Sequence, residues 1–250
     1  MRALGCRRCA KLRLELSSNH TPSPGAELRQ EDRLWGPVQG RRECGTVIRQ
    51  MVQFVLQVGG IEMKPALVII DMQRWFFRSE ERRVKLPELI TSINELIDVA
   101  NEENIPIFIV LTIHKNDRST WNIVMKKHNF VALLEGSKEA ELLPEIKFDN
   151  SQELIIKTRQ STFIRTNFEE KLKEKNIDTL ILCGVFTHGC VGRTAIDAYE
   201  RDFNVIVARD ASFSHIKNQE EAIFEVIEQE QEQLILTNEE IKRLLISTES

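Results

Sequence analysis

Three residues of this chain have the types and spacing for nucleophilic chemistry. Cys190 follows an apolar run, Leu180–Val185, and two turn glycines, Gly184 and Gly189, and it precedes a helical pattern. A thiol where a buried strand turns into a helix sits in the field of that helix's free N–H groups, which favours the thiolate. Asp71 ends the apolar run Ala66–Ile70, and Lys157 ends the run Glu153–Ile156. A nearby ammonium lowers a thiol pKa, so Lys157 suits activation of Cys190. Asp71 suits proton transfer, taking the thiol proton and handing it to a leaving amine. Backbone N–H groups in the Phe186–Cys190 turn suit an oxyanion hole, because Gly184 and Gly189 permit tight backbone geometry. Each residue also has an ordinary role. A strand cysteine is most often a small buried hydrophobe, which is the reading given to Cys183. A lone Asp caps turns, and a lone Lys pairs with surface acids. Three such residues on separate strands of one sheet point to a cysteine hydrolase.

Other residues are candidates for the walls of a pocket. Trp75, Phe76 and Phe163 suit an apolar wall, with a core or interface role equally open. His114, at the end of a second apolar run, and His188, in the turn before Cys190, suit pocket or loop positions. Arg159 fits a substrate carboxylate, with a surface guanidinium as the safer reading. Cys6 and Cys9 form a CxxC with only Cys44 and His20 nearby to complete a site, and incidental cysteines in an arm explain it better.

The elements that must position these residues alternate from Pro65 onward. Apolar runs at Ala66–Ile70, Ile105–Ile113, Glu153–Lys157, Thr179–Val185, Asn204–Ala208 and Gln233–Leu236 read as strands. Helical patterns fall at Leu86–Asn104, Asn167–Lys175, Cys190 to about Arg201, Lys217–Gln231 and Asn238–Ile246. Pro87 suits the first turn of the first helix, and Asn167 and Thr237 suit caps. The irregular stretch 115–150 carries Trp121 and His128. This order predicts an α/β fold of three layers, α/β/α, around a mostly parallel central sheet. Ligands then bind beyond the carboxyl ends of the strands, where Asp71, His114, Lys157 and the Val185–Cys190 loop all lie. No GxGxxG or GxxxxGK[ST] is present, so nothing points to a dinucleotide or nucleoside triphosphate.

Composition narrows the class further. The chain has 250 residues, 42% hydrophobic and 29% charged, as in a globular protein. A net charge of −4 gives no reason to expect nucleic acid or an anionic membrane as partner. No run approaches the ~20 apolar residues of a membrane span. Five unevenly placed cysteines argue against a disulfide framework and for a reducing cytoplasm. A break falls near residue 62. Residues 1–62 hold ten Lys/Arg against six Asp/Glu and seven of the eleven glycines, whereas residues 63–250 carry a balance of −8. The first segment therefore reads as a disordered or non-native extension, with a start at Met63 or a targeting role as alternatives, and 63–250 as the hydrolase domain. Within the extension only Val47–Val58 is apolar enough for a helix or strand.

The segments IIDMQRWF, IIKTRQSTF and ILCGVFTHGCVGRTAIDAYERDF, in this order, resemble the signature segments of the isochorismatase-like cysteine hydrolase superfamily. The stretch GSKEAELLPEI resembles a further segment of that superfamily, and the match spans about Lys64–Ile246. The resemblance implies a catalytic triad of Asp71, Lys157 and Cys190. It also implies a cis peptide between Val185 and Phe186 that points the N–H groups of Phe186 and Cys190 at the oxyanion. Nicotinamidases of this superfamily bind a metal through Asp-x-His, but here Thr112 stands two residues before His114, so no metal and no cofactor are expected. The presence of Cys190 favours cleavage of a C–N bond in a small amide, carbamoyl or ureido compound. Two other readings remain: isochorismatase-type ether hydrolysis, and a non-catalytic member that binds a metabolite or partner or senses oxidants. The expected partners are a small-molecule substrate and further copies of the chain.

Overall fold

The computed structural model describes residues 63–149 and 151–246. The CxxC pair, the apolar stretch Val47–Val58 and the other expectations for residues 1–62 lie outside the described residues. Six strands form one sheet: β1 (Pro65–Ile70), β2 (Ile107–Thr112), β3 (Glu153–Lys157), β4 (Thr179–Val185), β5 (Asn204–Phe213) and β6 (Leu234–Leu236). Their spatial order is β3-β2-β1-β4-β5-β6, and all five pairings are parallel. The chain order reverses at β1, whose neighbours are β2 and β4, and such a switch opens a crevice at the carboxyl ends.

Among the described residues, six α-helices connect or cover the strands: α1 (Glu80–Glu102), α2 (Ile123–His128), α3 (Phe168–Glu174), α4 (Gly192–Tyr199), α5 (Lys217–Glu225) and α6 (Asn238–Ile246). Alternate strand residues feed two core layers. Leu67 and Ile69 face α1 and α6 through Ile93, Ile97, Ile241 and Leu244. Ala66, Val68 and Ile70 face the opposite layer, with Phe168, Leu172, Ala195 and Phe224. Each such Leu or Ile, fully buried, contributes about 1.5–3 kcal/mol, so the central strands read as continuous apolar runs rather than as alternating ones.

Some boundaries move. The first helix begins at Glu80 rather than Leu86, with Ser79 before it and Glu80 and Glu81 in its first turn, where acids complement the free amides. Pro87 therefore lies inside the helix rather than in its first turn. The charged stretch reads as a loop by hydropathy, yet Glu, Arg and Lys are good helix formers on a solvent face. Strand β5 extends to Phe213, past Asp210. Helix α5 ends at Glu225 and passes into a wide turn, Val226–Glu230. Asn167 precedes α3 without a side-chain cap bond. Thr237 does cap α6: its hydroxyl accepts from Glu240 N (3.3 Å), and Glu240 Oε2 accepts from Thr237 N (2.8 Å).

Candidate active site

Strand β1 delivers Asp71 at the end of its buried run, with φ 57°, a left-handed conformation that Asp tolerates better than most residues. Beside it, Gly184 in β4 has φ 109°, and a Cβ there would lie 2.1 Å from Ile70 O. Only glycine lets β4 close against β1 at this point. The Asp71 and Lys157 side chains have zero exposure, and Lys157 Nζ lies 2.7 Å from Asp71 Oδ2. Strand register explains the meeting: Thr112 pairs with Lys157, and Val110 pairs with Ile70, next to Asp71. Thr112 joins the pair. Its hydroxyl donates to Asp71 Oδ1 (2.9 Å) and accepts from Lys157 Nζ (2.7 Å). A third Lys157 N–H reaches Arg159 O at 3.2 Å.

The Cys190 thiol interacts with both the Asp71 carboxylate and the Lys157 ammonium. The three residues singled out by type are thus brought to one place. Burial alone pulls the Lys157 ammonium toward neutrality, but Asp71 first and Cys190 second outweigh it and raise the lysine pKa above its ordinary value. The surroundings of Cys190 oppose the thiolate that the strand-to-helix position was expected to favour. Burial and then the Asp71 carboxylate push the Cys190 thiol up to about 12, with Lys157 opposing them only in part. The ammonium's charge is already matched by Asp71, so little is left to hold a second anion. The thiol faces a ready carboxylate acceptor instead.

Cys190 lies in a wide turn, Thr187–Val191, that leads into α4 and is broken from helical geometry at Gly189. The peptide before Phe186 is cis, as the resemblance implied. Gly189 N and Val191 N both donate to Phe186 O, at 2.8 and 3.2 Å. Neither bond uses the Phe186 or Cys190 amide. Gly192 holds the other side, since a Cβ there would stand 2.4 Å from Thr187 O. Thr187 Oγ1 donates to the buried Glu220 carboxylate at 3.0 Å.

Aromatic rings gather on the Phe186 side. Trp75 and Phe76 lie in a single 3-10 turn after β1, Arg74–Phe77. Trp75 meets Phe76 edge-on at 5.1 Å, and Phe76 meets Phe186 edge-on at 5.6 Å. His188 stacks on Phe186 at 5.5 Å, and its Nδ1 lies 2.6 Å from Ser214 Oγ. His114 is buried, with Nδ1 3.2 Å from Thr120 O. A carbonyl only accepts, so Nδ1 carries the proton. Burial first lowers the His114 pKa, and Arg159 and Lys157 lower it further. Phe163 does not join this group. Its ring packs on Phe168 (5.0 Å) and Phe203 (5.9 Å) under the Arg201 guanidinium, because the segment after Lys157 folds back over the sheet. It is a core residue and not a pocket wall.

Residue types alone passed over two positions. Thr112 is the only polar residue in the run IFIVLT, a signal that its hydroxyl serves something at the strand end. Gln73, two residues after Asp71, is fully buried. Its amide donates to Thr112 O (3.0 Å) and Ala140 O (2.7 Å) and accepts from Thr112 N (2.9 Å), which pins the backbone that aims Thr112. Thr112 also bears on metal binding. Its hydroxyl is committed to Asp71 and Lys157, and among the described residues no group of three His, Cys, Asp or Glu is placed to hold a metal ion.

An open parallel sheet with a buried carboxylate–ammonium pair and a neighbouring thiol at its carboxyl edge defines a class of α/β enzyme-like proteins. The isochorismatase domain family matches residues 65–239, and the chain belongs to that family, whose members are hydrolases. It is 27% identical over 159 residues to a probable inactive nicotinamidase of Arabidopsis thaliana, covering 59% of this chain and 79% of that one. It is 26% identical over 190 residues to an N-carbamoylsarcosine amidase of an Arthrobacter species, covering 72% of this chain and 70% of that one. Among solved structures it resembles an isochorismatase family protein of Desulfovibrio vulgaris, with a TM-score of 0.66, 22% identity, and coverage of 74% of this chain and 100% of that one. That likeness is one of fold.

Proposed function

We propose that the chain is a cysteine amidohydrolase acting on a small amide, carbamoyl or ureido compound. The convergence of Cys190, Asp71 and Lys157 at one strand-end cluster carries the reading. The Cys190 sulfur attacks the substrate carbonyl while its proton passes to Asp71, so that no standing thiolate is needed. The oxyanion is held by the Phe186 and Cys190 amides, and Lys157 stabilises the negative charge of the cluster. Collapse of the tetrahedral species expels ammonia or an amine, which takes the proton from Asp71. A water molecule, deprotonated by Asp71, then attacks the thioester or carbamoyl-enzyme, and Asp71 returns that proton to the departing Cys190 sulfur as the acid is released. The similarity to a protein named as an amidase supports a C–N bond as the target.

The test is ammonia release from a panel of small amides and ureas, comparing wild type with Cys190→Ala. The expected result is turnover by wild type and a loss of at least about a thousandfold in the variant. Ammonia release retained in Cys190→Ala would instead show that the thiol is not the nucleophile. No turnover of any compound would indicate a binding or sensing member. We also place the hydrolase domain at 63–250, on the ground that β1 starts at Pro65 and the family match at residue 65. Deletion of residues 1–62 is expected to leave turnover unchanged, and a loss of activity would refute that boundary.

A further inference from the structure

Glu220 takes no part in the reaction just described, yet it is a buried carboxylate bonded to the turn that carries Cys190. Its side chain lies on α5, and the residue keeps only 8% exposure. One oxygen, Oε1, accepts from the hydroxyl of the fully buried Thr187 at 3.0 Å. The other, Oε2, meets Lys217 Nζ at 2.7 Å.

Packing alone does not call for a charge there. Glu220 and Ile223 stand one turn apart on α5 and both meet the Thr187–Val191 turn and its exit. A Cβ on Gly192 would lie 2.6 Å from Ile223 Cγ2 and 2.4 Å from Thr187 O, so Ile223 already docks the helix closely. An apolar residue at position 220 would dock it too, without the cost of desolvating a carboxylate. What the carboxylate adds is direction, through a charge-assisted bond that fixes the rotation of one residue, Thr187. Phe186 precedes Thr187 and Cys190 follows three residues on, and these two supply the amides assigned to the oxyanion. Gly189 N and Val191 N close on Phe186 O, and Gly192 N closes on Thr187 O. Those bonds shape the turn internally. The Thr187–Glu220 bond anchors it to another element.

We propose that Glu220 is a positioning residue for the oxyanion hole, acting through Thr187 on the Phe186 and Cys190 amides. Its loss then slows steps that build an oxyanion at Cys190 and spares other reactions of the thiol. This deepens the hydrolase reading above and rests on the oxyanion site assigned there. The alternative is that Glu220 only helps to hold α5 in place.

Two reagents that meet the same thiol separate these in the full-length protein. p-Nitrophenyl acetate acylates Cys190 through a tetrahedral oxyanion: the sulfur bonds to the acyl carbon, the thiol proton passes to Asp71, and p-nitrophenolate leaves. Iodoacetamide alkylates Cys190 by displacing iodide at a saturated carbon, with no oxyanion. The first rate is read as the p-nitrophenolate release that Cys190→Ala abolishes, the second at the Cys190 peptide by mass spectrometry. Their ratio cancels any change in thiol ionisation. In wild type it is expected to exceed that of N-acetylcysteine by at least about tenfold. Glu220→Leu and Thr187→Val are each expected to lower it about 10- to 100-fold, and the double variant no further than either. Glu220→Gln keeps an acceptor for Thr187 and is expected to keep most of the ratio. Should Glu220→Leu not fold, Thr187→Val, which preserves the side-chain shape, carries the same test. A variant that melts earlier or slows both reagents alike with the ratio unmoved would overturn the proposal. So would a wild-type ratio no higher than that of N-acetylcysteine. Amide hydrolysis is judged separately: a ratio that responds without ammonia release refutes the amide reading alone, and ammonia release with an unmoved ratio refutes this proposal alone.

Discussion

The two ends of the sheet treat charge in opposite ways. At the amino end, charges pair in water. Lys171 and Lys175 both meet Glu153, Arg201 meets Glu169 and Asp197, and each of these side chains keeps at least 25% exposure. A cleft of about 360 Å³ also opens there, lined by Tyr199, Glu200, Asp202, Phe203, Asn204 and Gln233. Two of its polar side chains are engaged within the fold: Gln233 Oε1 accepts from Val205 N at 2.7 Å, and Asn204 Nδ2 donates to Asp178 O at 3.4 Å. At the carboxyl end, Asp71 and Lys157 pair with no exposure at all. An exposed pair contributes about 0.2–1 kcal/mol. A buried pair cannot lose one member without stranding the other, at about 3–5 kcal/mol. The two ends therefore differ in how charge is solvated: it pairs in water at one and is desolvated at the other.

Experiments can break that contrast, beginning with the thiol. With its pKa pushed up to about 12, the Cys190 thiolate fraction rises tenfold per pH unit below that value. Its alkylation by iodoacetamide is expected to accelerate about a thousandfold between pH 7 and pH 10. Cys183, fully buried in β4 and raised further, is expected to stay unlabelled in the folded protein. A rate already at its plateau at pH 7, read by mass spectrometry, would show that a thiolate stands in the resting site after all. Lys157→Ala is expected to destabilise the fold by about 3–5 kcal/mol in denaturant titration and to abolish turnover. Combining Lys157→Met with Asp71→Leu removes both charges, and is expected to recover much of that stability but none of the activity. If the double variant stays as unstable as the single one, the pair contributes more to the fold than to the chemistry. Gln73→Leu strands the Thr112 N–H and C=O in a buried setting, for an expected loss of about 1–3 kcal/mol. Turnover should fall with it, because Thr112 orients both Asp71 and Lys157. At the amino end, Arg201→Gln is expected to cost no more than about 1 kcal/mol and to leave kcat/KM unchanged. A large effect on kcat/KM would erase the distinction between the two ends.

Much of the site was legible before any coordinates. Asp71 and the turn bearing Cys190 follow continuous buried runs, and Lys157 ends the short edge strand β3, whose Leu154 and Ile156 are exposed; parallel strands place their carboxyl ends on one edge. The cis bond at Val185–Phe186 was legible only through resemblance, because nothing in the local residue types demands it. Phe163, left open between pocket wall and core, falls in the core, since an aromatic residue after a catalytic-looking lysine looks the same whether it turns toward the pocket or back into the core. Gln73 and Thr112 were missed because an uncharged polar residue gains meaning only from the partner it meets.

What the sequence by itself determined is the order of strands and helices, the edge on which the reactive groups gather, and the identity of the three that meet there. Hydropathy period and chain order carry that information, because the central strands β1, β2 and β4 are buried along almost their whole length. The tertiary structure decided the electrostatic surroundings and the supports. Thr112 reaches Asp71 across 41 positions of sequence and Lys157 across 45. The Cys190 pKa is raised by burial and by Asp71, neither of which its place along a helix records. Desolvation and Coulomb energy depend on distance in space, and no local pattern of residues records that distance.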